Sequence, residues 1–152
     1  MPLVGCAGGS GGVLGAGSDA PQPEPPNSIS AEQKAALEDG EVTQEEYEQS
    51  FQRFQACMEG IGFPIGGGET VDGVIQYSVP VVSDDAGGTE CYVHEFEFVD
   101  RAWQTKPEIL EQSESSRMVK ACLIKYEIEP AETHLERWEQ ILENNIDPAS
   151  CH

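Results

Sequence analysis

Tyr47, Phe51, Phe54, Met58 and Ile61 fall at i, i+4, i+7, i+11 and i+14. This is one unbroken stripe along an α-helix, and a helix so patterned must bury that face against other elements. Thr43-Gln44-Glu45-Glu46 precedes the stripe with the Thr-x-x-Glu spacing of a capping box, and Gly60 and Gly62 follow it as stop signals. The stripe therefore predicts the core helix of a mostly helical domain.

Other elements arrange themselves around it. Ser30-Ala31-Glu32-Gln33 opens a short helix predicted to run to Asp39, with Gly40 ending it. After Gly66-Gly67-Gly68 the period changes. Ile75, Tyr77, Val79 and Val81 alternate with Gln76, Ser78 and Pro80, the pattern of a half-buried strand. Pro80 has no N–H for a ladder, which restricts this strand to an edge or a two-stranded ribbon. Asp84-Asp85-Ala86-Gly87-Gly88 is the expected closing turn. Tyr92, Phe96, Val99 and Trp103 return to helical spacing and predict one helix over 90–105. Ser115 to Lys125 forms another. Pro130 opens a last helix, with Leu135, Trp138, Ile141 and Leu142 inward and Asn144-Asn145 at its end. The expected fold class is mostly α with a small β-hairpin or ribbon (α+β), in a single domain over residues 30–152.

Four cysteines lie in that domain: Cys57, Cys91, Cys122 and Cys151. An even number in a small domain is the usage of compartments where disulfides persist. Three pairings are open. Joining neighbouring elements favours Cys57–Cys91 and Cys122–Cys151, and Cys57–Cys122, between two core helices, is the rival. Each bridge is worth about 2–4 kcal/mol, a large part of the stability of a domain this size. A zinc site lacks its spacing, because no Cys-x₂-Cys or His-x₃-His occurs.

Charge narrows the function. The chain carries 28 acidic residues against 8 basic ones, a net charge of −20. Phosphate backbones require clustered Lys and Arg, so nucleic acid is excluded as a partner. The same charge repels anionic surfaces and attracts basic ones.

No motif supplies a catalytic, metal or cofactor site. Asp39-Gly40 through Glu46 resembles the second half of a calcium loop, but Ala35 and Leu37 stand where its first two carboxylates belong. Glu46 closing the capping box accounts for the same residues. His94, His134 and His152 share no ligand spacing, and Cys151-His152 are mere neighbours, not a converging nucleophile and base. No Gly-x-Ser-x-Gly, phosphate-binding loop or His-Glu-x-x-His is present. Trp103 and Trp138 sit on apolar stripes and read as core.

The chain opens with Leu3-Val4-Gly5-Cys6, the spacing of a lipobox. In that reading residues 1–5 are the remnant of a signal peptide whose start lies upstream of Met1, and Cys6 carries the lipid. Residues 6–29 are a Gly/Ser then Pro-rich tether. Two acyl chains at about 0.8 kcal/mol per buried CH₂ suffice for stable anchoring. With Asp39-Gly40-Glu41-Val42-Thr43-Gln44-Glu45-Glu46-Tyr47 and the cysteines at 57, 91 and 122, the layout resembles small actinobacterial-type extracytoplasmic lipoproteins. The resemblance implies a protein anchored outside the cytoplasm and brings no activity with it. The expectation is a non-catalytic binding or interaction module of the cell envelope with no cofactor. It would be held to the membrane through Cys6 and meet a basic protein or cell-wall partner. An envelope hydrolase using paired carboxylates and a weak divalent-cation binder are the alternatives.

Overall fold

The computed structural model describes residues 28–151 and consists of seven α-helices, two 3₁₀ turns and one hairpin. Cys6, the signal remnant, the tether up to residue 27 and His152 lie outside the described residues. The elements run α1 (Ala31–Ala36), α2 (Gln44–Gly60), β1 (Gly66–Val71), β2 (Val74–Ser78), a 3₁₀ turn (Val81–Ala86), α3 (Gly88–Glu95) and α4 (Glu97–Gln104). Then come α5 (Pro107–Gln112), α6 (Glu114–Lys125), α7 (His134–Glu143) and a 3₁₀ turn (Pro148–Cys151). This is the expected disulfide-stapled α+β class.

The stripe does what its spacing requires. Tyr47, Phe51, Phe54 and Met58 are buried along α2. The capping box forms in full: Glu46 N–H donates to Thr43 Oγ1, and Thr43 N–H donates back to Glu46 Oε2 at 2.8 Å. Around the stripe the rings of Phe51, Phe54, Tyr47, Tyr77 and Tyr92 all lie with centroids 5.4–6.1 Å from that of Phe96, which is fully buried. A smaller second core joins Val119, Cys122 and Leu123 of α6 to Ile141 of α7 and to Ile146.

The predicted helix over 90–105 is instead two helices broken at Phe96, whose φ of −140° leaves the helical region. A break strands N–H groups at the new start and carbonyls at the old end. Gln33 of α1, fully buried, satisfies both. Its Nε2 donates to the carbonyls of Val93 and His94, while its Oε1 accepts from Phe98 and Val99 N–H. The amide of Gln33 substitutes for the hydrogen bonds lost at the break, and the break lets Phe96 reach the ring cluster.

Further elements and boundaries differ from expectation. The α1 helix ends at Ala36, and a turn carries the chain to Gly40 at φ +79°. The hairpin closes at Asp72-Gly73, not at Asp84–Gly88. Both turn residues have positive φ, 51° and 80°, the two-residue geometry that matches strand twist. β2 ends at Ser78, so Val79 and Val81 leave the ladder, and residues 81–86 wind into the 3₁₀ turn that leads to α3. Pro107 starts the short α5, which hydrophobic periodicity does not signal.

The last helix begins later than Pro130. Thr133 is its N-cap, with Glu136 completing a second capping box. Its inward residues are His134, Arg137 and Ile141, whereas Leu135 and Leu142 are 67% and 70% exposed. Trp138 is half-buried. Polar contacts of Arg137 select this face. Both bridges pair as adjacency favours: Cys57 of α2 with Cys91 of α3, and Cys122 of α6 with Cys151 in the final turn.

Candidate functional site

The hairpin stands between two grooves. The larger, about 400 Å³, is lined by Val74, Ile109, Gln76, Gln104, Ser115 and His134. The smaller, about 280 Å³, lies between β1 and α2. Helical spacing brings Glu48, Gln52 and Gln55 of α2 onto its wall at i, i+4 and i+7, opposite Gly67, Gly68 and Thr70 of β1.

Ion pairing within the chain takes up most of its cations. Six of the eight basic residues are already engaged by carboxylates of the same chain: Arg53 with Glu95, Arg101 with Glu97, Lys106 with Glu108, Arg117 with Asp72, and both Lys120 and Arg137 with Glu111. Five carboxylates take up these six cations, so among the described residues most acidic side chains lie outside the pairs. The Arg117 guanidinium, hydrogen-bonded to Asp72 at 2.8 Å, holds that carboxyl below the usual range. A cationic partner would supply the missing counter-charge.

Two buried polar clusters lie behind the grooves, and neither was legible as a unit in the sequence. In the first, Asp100 is only 5% exposed and accepts hydrogen bonds from Gln104 Nε2 at 2.7 Å, Tyr92 Oη at 3.2 Å and Tyr47 Oη at 3.3 Å. Burial pushes its carboxyl pKa up, and the three donors only partly oppose this. Burial also raises Tyr47 and Tyr92, helped by the nearby carboxylate, and pushes Tyr77 up to about 12.

A carboxyl raised in the folded state contributes stability that is full below its unfolded pKa and is lost as pH rises through the folded value. Asp100→Asn is expected to remove that slope from the stability–pH profile above pH 4 and to be no less stable than wild type at neutral pH. Asp100→Ala, which orphans three donors, is expected to cost about 1–3 kcal/mol. Urea unfolding across pH 4–8 checks both, and an unchanged slope in Asp100→Asn would remove this assignment.

In the second cluster Arg137 is 1% exposed. It donates from Nη1 to the carbonyls of Ala131 and Glu132, and from Nη2 to Ser116 Oγ and Glu111 Oε2. Glu111 Oε1 accepts the backbone N–H of His134, the first residue of α7. Burial alone would raise Glu111, but Arg137 and that N–H hold it below the usual carboxylate range. Trp138 Nε1–H donates to His134 Nε2 at 3.0 Å. Since indole can only donate, Nε2 is unprotonated and the neutral ring carries its proton on Nδ1. Burial, followed by the charge of Arg137, lowers the His134 pKa and favours this neutral form.

Ser28, His94 and Glu95 have the residue types of a hydrolytic triad, and the distances are suggestive: Ser28 Oγ to His94 Nδ1 is 3.3 Å, and His94 Nε2 to Glu95 Oε1 is 3.5 Å. The hydrogen bonding opposes it. His94 Nδ1 lies 2.6 Å from the Ser28 carbonyl oxygen, which can only accept, so the nitrogen facing the hydroxyl is the protonated one. It cannot take the serine proton, as a general base must.

The residues singled out by sequence are dispersed. Asp39 Oδ1 accepts Glu41 N–H, and Glu46 is held by Thr43, so both ends of the calcium-like run serve local turns. Among the described residues no group of three His, Cys, Asp or Glu side chains gathers as a metal would need. Gly67 lies on the hairpin, where a Cβ would fall 2.9 Å from the Gln76 carbonyl oxygen; a bulge there, not a phosphate, requires the glycine. Trp103 is buried and donates from Nε1 to the Gly73 carbonyl at 2.7 Å, tying α4 to the hairpin turn. No protein-family model, curated protein or solved structure matches the chain. Function is therefore read from the grooves and their charge.

Proposed function

We propose that this chain is a lipid-anchored extracytoplasmic binding module, held to the membrane through Cys6, that receives a basic protein or a basic cell-wall component on its acidic face. One observation carries the reading of the face. Six of the chain's eight cations are engaged by its own carboxylates, and each groove carries a carboxylate outside those pairs, Glu48 on the smaller and Glu114 on the larger. The two disulfides support the compartment, because such bridges persist where thiols are not kept reduced. The lipobox spacing of Leu3 to Cys6 supports the anchor.

Binding of dodecalysine to the full chain, followed by calorimetry, is expected to weaken steeply between low and physiological salt. A matched oligoglutamate should not bind at all. Dodecalysine affinity that ignores salt would remove the acidic-face reading, since exposed charge pairs are screened within a Debye length of about 8–10 Å. The anchor is tested separately by the intact mass of protein from its native host, where a start at Cys6 with an added diacylglyceryl group is expected.

A further inference from the structure

The hairpin is closed on one side and open on the other. On the closed side Ile75 N–H leaves β2 and donates to Tyr47 Oη of α2 at 3.1 Å. On the open side, all six residues of β1 are exposed, and among the described residues the sheet has no third strand.

Register decides which groups are free there. The two-residue turn Asp72-Gly73 makes Val71 and Val74 a hydrogen-bonded pair. Pairs alternate along an antiparallel ladder, so Thr70 and Ile75 form the next, non-bonded pair, and their N–H and C=O groups turn away from the partner strand. Ile75 fulfils this by reaching Tyr47. Thr70 fulfils it by presenting its N–H and C=O to the open edge.

The 280 Å³ groove opens beside that edge, lined by Gly67, Gly68 and Thr70 of β1, Ile75 of β2, and Glu48 and Phe51 of α2. Open edges invite pairing, and proteins blunt them with bulges and charge. Here the ladder is irregular between Gly67 and Glu69, which shortens the edge without covering Thr70. The only charged residue of β1 is Glu69, and Glu48 stands across the groove on α2. Successive strand residues face opposite sides, so with Thr70 on the groove, Glu69 lies on the other face. An incoming strand therefore meets a carboxylate on each face. A second copy of this chain, at −20, is repelled by that arrangement, and a basic strand is attracted.

We propose that the free edge of β1 and the groove against α2 accept an extended, lysine- or arginine-rich peptide segment as a third strand. Thr70 supplies main-chain hydrogen bonds, and Glu48 and Glu69 pair with the segment's side chains. Main-chain bonding then provides affinity, while alternate side chains provide selectivity. The inference rests on the acidic-face reading above and narrows it to one edge.

The test uses the full chain and a fluorescent nonapeptide of alternating lysine and valine, read by anisotropy at low salt. Its control is the same peptide N-methylated at alternate residues, which keeps sequence and charge but cannot form a ladder. The unmodified peptide is expected to bind at least about tenfold more tightly than the methylated one, the order expected from losing main-chain hydrogen bonds. Binding should slow hydrogen exchange at the Thr70 amide. Thr70→Pro removes an N–H that the hairpin does not use, and should weaken the unmodified peptide toward the level of the methylated one. Glu48→Gln and Glu69→Gln should each lower affinity a few-fold and flatten its salt dependence. Equal binding of both peptides overturns strand addition and leaves the acidic-face reading standing. If neither peptide nor dodecalysine binds, both fall together.

Discussion

Arg137→Ala is expected to lower the unfolding free energy by about 3 kcal/mol, near the lower end of the cost of breaking a buried ion pair. The guanidinium is 1% exposed and holds three separate pieces of the fold: the carbonyls of Ala131 and Glu132 in the loop before α7, Ser116 of α6, and Glu111 of α5. Removing it leaves those two carbonyls without this donor and Glu111 with the His134 N–H and Lys120 alone. Glu111, whose side chain is 33% exposed, regains some water, and this is why the expectation sits below the full penalty for a sealed charge. Glu111→Gln should cost less, because the amide oxygen still accepts the His134 N–H. Urea unfolding of the two variants measures the ordering. A loss below about 1 kcal/mol in Arg137→Ala would mean that α5, α6 and α7 are held by their apolar contacts alone.

Loss of a bridge is expected to cost roughly as much. Closing loops of 34 and 29 residues, Cys57–Cys91 and Cys122–Cys151 each restrict the unfolded chain by an amount worth roughly 3.5–4 kcal/mol in the chain-entropy treatment. The two differ in what they hold. Cys57–Cys91 ties α2 to α3 inside the ring cluster, where Cys91 is 3% exposed and packing already fixes both helices. Cys122–Cys151 clips the final turn to the end of α6, where Lys125 Nζ also donates to the Ser150 carbonyl and the Tyr126 and Ser150 hydroxyls share a hydrogen bond. Cys122→Ser with Cys151→Ser should therefore release the last turn to rapid hydrogen exchange while the ring cluster stays protected. Cys57→Ser with Cys91→Ser should lower the midpoint for the ring cluster without selectively freeing one element. The opposite pattern of protection would show that the final turn is held by its polar contacts and not by the sulfur bridge.

Where the chain could be read from sequence, a strictly local rule was at work. The α2 stripe, both ends of that helix and its capping box depend on residues within four positions of one another. The same holds for Asn144 ending α7. Adjacency also favoured the correct cysteine pairing, because loop closure over about 30 residues joins elements that already neighbour one another. The hairpin turn was available in the same way. Asp72-Gly73 is a strong two-residue turn signal, although the glycine-rich run before it lacks strand alternation and the alternation after it continues through Val79 and Val81 beyond the strand's end.

Other features depended on partners far away in sequence. The break at Phe96 is tolerable only because Gln33, more than 60 residues earlier, supplies hydrogen bonds to both broken ends. Periodicity alone makes residues 90–105 one helix. Leu135 and Leu142 looked inward because they are apolar, yet Arg137 took the inward face because its donors match four acceptors that only the packed α5, α6 and connecting loop bring together. The candidate edge is of the same kind. Sequence identified glycines, a strand and an excess of carboxylates, but not which edge of the hairpin α2 would cover.

By itself the sequence determined the helical core around α2, the acidic character of the surface, the class of fold and the stapling. Each rests on local periodicity, composition or short-range closure. The tertiary structure alone decided the burial of Asp100, Arg137 and His134, the two grooves and the open edge at Thr70. Those are properties of groups brought together across 20 or more residues, where desolvation and hydrogen-bond geometry outweigh any preference written in neighbouring positions.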